Sequence, residues 1–157
     1  MRFDENGEIM PCLAESWEIS EDQLTWTFKI REGVKFSNGD DMTPELVKAS
    51  LERTFELSDR AVSFFEPASM EVDGQNLLIK TKEPVAILPG SLADPLFLIV
   101  DTQADTDAFA MEGPICTGPY AVESFSPTDS CVVVRNEYYW DGEVPLDKVT
   151  LKCIDDQ

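Results

Sequence analysis

The sequence predicts an α+β fold built from antiparallel β-hairpins with two or three helices. Three observations lead there. Short segments alternate apolar and polar residues with period two, several such segments are joined in pairs by tight-turn residues, and one long stretch changes to helical periodicity behind a strong start signal.

Met1 to Gly7 reads as a loop, without the apolar core of a signal peptide. Trp17-Glu18-Ile19 and Leu24–Ile30 form the first hairpin, with Leu24, Trp26, Phe28 and Ile30 on one face and Ser20-Glu21-Asp22-Gln23 as the polar turn. Val34-Lys35-Phe36 then runs into Ser37-Asn38-Gly39-Asp40-Asp41, where Asn-Gly marks a tight reversal because both residues tolerate positive φ. A helix over 44 to 57 follows. Thr43 is its capping residue, Pro44 suits the first helical position and Glu45 the positive end of the dipole, while Leu46, Val47, Ser50, Leu51, Thr54 and Phe55 share the inward face.

Met70-Glu71-Val72 and Leu77–Thr81 make a second hairpin across Asp73-Gly74-Gln75-Asn76. Pro84 to Leu92 is expected to be a short helix ended ahead of Pro95, Leu96 to Val100 a short buried strand, and Asp101 to Gly113 a polar loop or weak helix. Tyr120–Phe125 and Ser130–Arg135 form a third hairpin around Ser126-Pro127-Thr128-Asp129, and Lys148 to Ile154 alternates as a last strand. A start in a loop and a stop on a strand lead us to expect neighbouring elements of a larger fold at both ends.

Composition narrows the function classes. Acidic residues outnumber basic ones 31 to 12, for a net charge of −19, a field that repels phosphate backbones and anionic membranes, so no nucleic-acid partner is expected. There is no histidine, which excludes histidine-dependent catalysis within the chain and removes the commonest metal ligand. With so many carboxylates, a close acidic pair is expected by chance and carries no catalytic meaning. Cys12, Cys116, Cys131 and Cys153 are widely spaced, without a C-x-x-C pair, so neither a metal site nor a cofactor is expected. Their apolar neighbours suggest buried free thiols on strands, with a disulfide as the alternative. No stretch reaches the ~20 apolar residues that span a bilayer. Without a visible export signal, the chain is either cut from a longer precursor or cytoplasmic.

Leu13-Ala14-Glu15-Ser16-Trp17-Glu18-Ile19 through Leu24-Thr25-Trp26-Thr27-Phe28, and on to Ile30-Arg31-Glu32-Gly33-Val34-Lys35-Phe36-Ser37-Asn38-Gly39, resembles the signature of the family 5 extracellular solute-binding proteins, the peptide- and nickel-binding components of ABC importers. A second block agrees in order and spacing: Thr117-Gly118-Pro119-Tyr120, then Val134-Arg135-Asn136-Glu137-Tyr138-Tyr139-Trp140, then Leu146-Asp147-Lys148-Val149-Thr150-Leu151. The segment from Phe55 to Glu112 is only loosely similar, chiefly through Leu92-Ala93-Asp94-Pro95, and Cys116 stands where the family usually has glycine.

The resemblance implies that residues 1–157 are a single partial lobe of a two-lobed solute-binding protein, part of a periplasmic-binding-protein type II-like lobe. It implies a substrate-binding, non-enzymatic role in an ABC importer for oligopeptides, dipeptides or nickel chelates, with an ABC permease as partner and an extracytoplasmic place, periplasmic or as a cell-surface lipoprotein. The fragment by itself is expected to be a monomer. Arg60 resembles in position an arginine that, in the nickel-binding branch, contacts the anionic chelator, a task suited to planar bidentate donors. The second arginine of that branch has no counterpart in Pro95-Leu96-Phe97-Leu98-Ile99, which keeps peptide binding open. Tyr138, Tyr139 and Trp140 either cover the core or line a solute cleft, with Tyr138 and Trp140 the candidate contacts. Two other readings stand beside this one: a single-lobe interaction or regulatory protein without transport, and a small carboxylate-dependent hydrolase.

Overall fold

The computed structural model describes residues 1–154. The chain forms two compact units, the first comprising Met1–Glu32 and Thr43–Ile99, the second Gly33–Met42 and the residues from Val100 onward.

The first unit is built on a four-stranded antiparallel sheet. Its strands are β3 (Ala14–Ile19), β4 (Thr25–Ile30), β5 (Pro67–Asp73) and β6 (Asn76–Thr81), in the order β3-β4-β6-β5. Both predicted hairpins are present, and Gly74 takes the positive φ that the second turn demands. Period-two alternation decides which face is covered: Trp26, Phe28 and Ile30 of β4 and Leu77, Ile79 and Thr81 of β6 are all buried. Helix α1 (Pro44–Leu57) supplies Leu46, Val47 and Leu51 to the core of the unit. It starts as the sequence requires, with Pro44 at its first turn and the Leu46 N–H donating to Thr43 Oγ1 at 3.4 Å.

Three segments of this unit differ from expectation. Arg2–Phe3 (β1) and Ile9–Met10 (β2) pair as a small hairpin instead of a loop, because the Asp4 carboxylate accepts the N–H groups of Asn6 and Glu8, both at 2.8 Å. Helix α3 is confined to Leu88–Ser91, not 84 to 92. Proline is tolerated only in a first turn, so Pro89 forces the helix to begin beside it, and the Val85 carbonyl meanwhile accepts the Trp26 indole N–H at 3.1 Å. Pro95–Phe97 is a 3-10 turn, not part of a strand, since the Leu96 N–H donates to Asp94 Oδ1 at 2.9 Å and Pro95 has the fixed φ of a turn start.

The second unit carries the sheet β7 (Tyr120–Phe125), β8 (Ser130–Arg135), β9 (Lys148–Lys152), antiparallel in that order. Its Gly33–Met42 segment folds back at Gly39, where φ is +92°, and Lys35 bridges to Asp41 across the reversal. The predicted strand at 96–100 survives here only as an isolated bridge between Val100 and Cys116, and the 101–113 stretch contains one helical turn, α4 (Phe109–Glu112). Gly113, at φ +83° and ψ 158°, ends that turn in a conformation essentially reserved for glycine. The cysteines depart from buried strand thiols: only Cys131 lies on a strand, and Cys153 is exposed. No disulfide joins the cysteines among the described residues.

Candidate functional site

Arg60 lies in the first unit, on α2 (Asp59–Val62), a single turn reached directly from α1. The turn is anchored by Ala61, fully buried, and by the Ser63 hydroxyl donating to the Arg60 carbonyl at 2.7 Å. The Arg60 side chain is 68% exposed, so its charge faces water. It is nevertheless oriented. The guanidinium carbon sits 5.5 Å from the Phe64 ring centroid, within cation–π range, and Nη2 lies 3.9 Å from Asp94 Oδ2. Phe64 meets Phe97 edge-on at 5.5 Å, and Phe97 also packs on Phe55 and Phe65. An exposed arginine is thereby seated on an aromatic cluster.

Tyr138 and Trp140 belong to the second unit. Tyr138 is 45% exposed and its ring lies over Gly39: a Cβ there would stand 3.0 Å from Tyr138 Cζ. The Asn-Gly turn thus needs glycine for two reasons, its positive φ and the ring above it. Trp140 is half-buried beside Tyr139, their centroids 6.2 Å apart. Tyr138 therefore covers the Asn-Gly turn while leaving nearly half its surface open.

The residue that positions this aromatic segment is Asn136, buried to 3% exposure. Its Nδ2–H donates to the Gly118 carbonyl at 2.8 Å, its backbone N–H to the Pro119 carbonyl at 2.9 Å, and its Oδ1 accepts the Tyr138 N–H at 2.9 Å. One side chain ties the Thr-Gly-Pro-Tyr turn to the Tyr-Tyr-Trp loop. Its sequence signal is an asparagine at a strand end, whose carbonyl can mimic a turn two residues on. Asp101 has a similar part: 1% exposed, it accepts from Asn38 Nδ2 at 2.9 Å and from the Gln103 N–H at 2.9 Å. The same unit holds an open groove of about 600 Å³ walled by Phe109, Met111, Ile115, Val122 and Phe125, with Asp105 and Glu112 at its surface. Among the described residues, no three cysteine or acidic side chains are grouped to hold a metal ion.

Fold comparison supplies the class. A crystal structure of a nickel ABC transporter protein from Bacillus halodurans superposes with a TM-score of 0.90 at 42% identity, covering 99% of this chain and 32% of that one. The architecture is that of the periplasmic-binding-protein type II-like solute-binding proteins. The chain belongs to the bacterial extracellular solute-binding proteins, family 5, whose model matches residues 8–157. It is 31% identical to the nickel-binding protein NikA of Staphylococcus aureus over 155 residues, and 30% identical to the glutathione-binding protein GsiB of Escherichia coli K12 over 162. These alignments take in 99% and 98% of this chain but 31% of each relative, so the chain spans about a third of the length of the curated relatives it matches.

Proposed function

We propose that this chain is part of the first lobe of a two-lobed protein, the substrate-binding component of an ABC importer for oligopeptides, dipeptides or nickel chelates. The observation that supports this most is the family match over residues 8–157, with relatives bearing nickel-binding and glutathione-binding names on either side of the ligand choice. The role is capture without chemistry. A solute held between lobes is delivered to an ABC permease, and the protein works outside the cytoplasmic membrane, periplasmic or tethered by lipid. The chain by itself is monomeric. Arg60 supplies the anion contact: its fork of N–H donors is open to water, and the Phe64 ring behind it restricts how far it can swing. Tyr138 and Trp140 offer flat apolar surface to a bound solute.

Titration calorimetry on the full-length protein with glutathione, with a mixture of short peptides and with nickel plus L-histidine tests this reading. Micromolar or tighter binding of one class is expected, together with weak or undetectable binding by residues 1–157 alone. The reading fails if none of the three produces heat, or if the isolated chain binds as tightly as the whole protein.

A further inference from the structure

The Arg60 site contains an acid as well as a base, and the acid is the better anchored of the two. Asp94 is held three ways. Its N–H donates to the Ser91 carbonyl at 3.1 Å, its Oδ1 accepts the Leu96 N–H at 2.9 Å, and Pro95 restricts its backbone to the extended angles it adopts. Its side chain is only 30% exposed. The remaining carboxylate oxygen faces Arg60 Nη2 at 3.9 Å, close enough for attraction but beyond a hydrogen bond, so Asp94 does not claim a donor of the guanidinium.

The contacts form a closed circuit. Asp94 caps the turn that carries Phe97, Phe97 supports Phe64, Phe64 lies under Arg60, and Arg60 faces Asp94. A fixed negative charge beside the only anion-binding group proposed for this unit must change which solutes it accepts. A net anion gains from Arg60 but is repelled by Asp94; a solute with a positive group beside its carboxylate gains from both.

We propose that Asp94 is the specificity-determining neighbour of Arg60, a fixed counter-charge that biases the site against net-anionic solutes and toward neutral, zwitterionic ones. This rests on the reading that Arg60 contacts the solute. The charge of Asp94 can be separated from its capping of the turn: Asp94→Asn keeps an oxygen to cap the Leu96 N–H and removes only the charge.

The test uses the full-length protein and calorimetric titration of glutathione, a net anion, against triglycine, a neutral zwitterion; where peptides do not bind, nickel citrate against nickel L-histidine serves as the corresponding pair. Asp94→Asn is expected to raise the affinity for the anion relative to the neutral ligand about two- to fivefold, the span of an exposed ion pair, at an unchanged melting temperature. The gain should shrink in high salt. Arg60→Gln is expected to weaken the anion in every background. If Arg60→Gln alters neither ligand, or the wild type binds none of the four, the underlying reading fails. If Arg60→Gln weakens binding but Asp94→Asn leaves the anion-to-neutral ratio at the wild-type value, the role of Asp94 alone is overturned. That role is equally overturned if Asp94→Asn shifts both ligands equally while lowering the melting temperature, since such a result marks a purely structural residue.

Discussion

Replacing Asn136 by alanine should uncouple the two halves of the second motif block. Alanine keeps the backbone bonds from residue 136 to the Pro119 carbonyl and from Tyr139 to residue 136, but removes both side-chain bonds, to the Gly118 carbonyl at 2.8 Å and from the Tyr138 N–H at 2.9 Å. Asn136 is 3% exposed, while the groups it would orphan belong to half-buried Gly118 and to Tyr138, which is 45% exposed. At about 1–3 kcal/mol for each unsatisfied buried group, less what water recovers at the half-exposed Tyr138 side, the expected loss is about 2–4 kcal/mol. Asn136→Asp should be no milder: it keeps the acceptor for Tyr138 but sets a carboxylate oxygen against the Gly118 carbonyl. Urea denaturation gives the global figure. Hydrogen exchange gives the local one, with protection lost at the Tyr138 amide and unchanged in the β4–β6 ladder of the first unit. A loss below about 0.5 kcal/mol, within the range of ordinary surface changes, or an unaltered Tyr138 amide, would refute the assignment of Asn136 as the pin.

Gly113→Ala should cost about 1–3 kcal/mol from backbone strain alone, and more from its Cβ, which would meet Val122 Cγ2 at 2.7 Å. Partial rescue by Val122→Ala would separate the clash from the strain, and a variant as resistant to urea as wild type would contradict both. Burial pushes the Cys116 thiol up to about 11 from 9.0, so at pH 8 it carries about a hundredfold less thiolate and should react with iodoacetamide correspondingly more slowly than a thiol at the ordinary value, while exposed Cys153 reacts first. Because the folded value lies above the unfolded one, this thiol's contribution is intact below about pH 9 and is lost as pH rises toward 11, a decline that Cys116→Ser should flatten in pH-dependent melting. Thr43→Ala should destabilise by about 0.5–1 kcal/mol, the low end for a lost helix cap because the cap bond is 3.4 Å long; no change in the denaturation midpoint would show the cap to be idle.

What is legible in the sequence is what local chemistry decides. The third hairpin runs over the expected Tyr120–Phe125 and Ser130–Arg135, and α1 over the expected 44 to 57, because alternation, a cap and Pro44 all agree there. Expectation and structure part where one residue outweighs a pattern. Pro89 moves the start of α3, and Asp94 with Pro95 turns an apolar run into a 3-10 turn. The β1–β2 hairpin leaves no periodic signal because each strand is two residues long; the Asp4 turn that makes it is visible in the sequence only as a polar cluster. For the candidate contacts, residue type points to Arg60 and the aromatic segment, but Asp94 and Asn136 act through geometry: a carboxylate oxygen left over after capping, and an amide placed between two loops.

The motif blocks that betray the family are thus mostly structural. Gly39 lies under Tyr138, Asn38 is tied to buried Asp101, and Asn136 holds Gly118 and Tyr138 together, so these residues are committed to one another before any solute arrives. Substituting them costs stability first, which makes them good markers of fold and poor ones of ligand. Arg60 and Phe64 lie instead in the stretch where the family pattern is loose, Asp94 in the one short piece of it that matches, Leu92-Ala93-Asp94-Pro95, and the Arg60 end of their circuit faces water. There a change of one charge leaves the sheet of the first unit untouched, since the ion pair sits outside its β4 and β6 core. On the proposed reading, a change of charge at Asp94 alters ligand choice at little cost in stability.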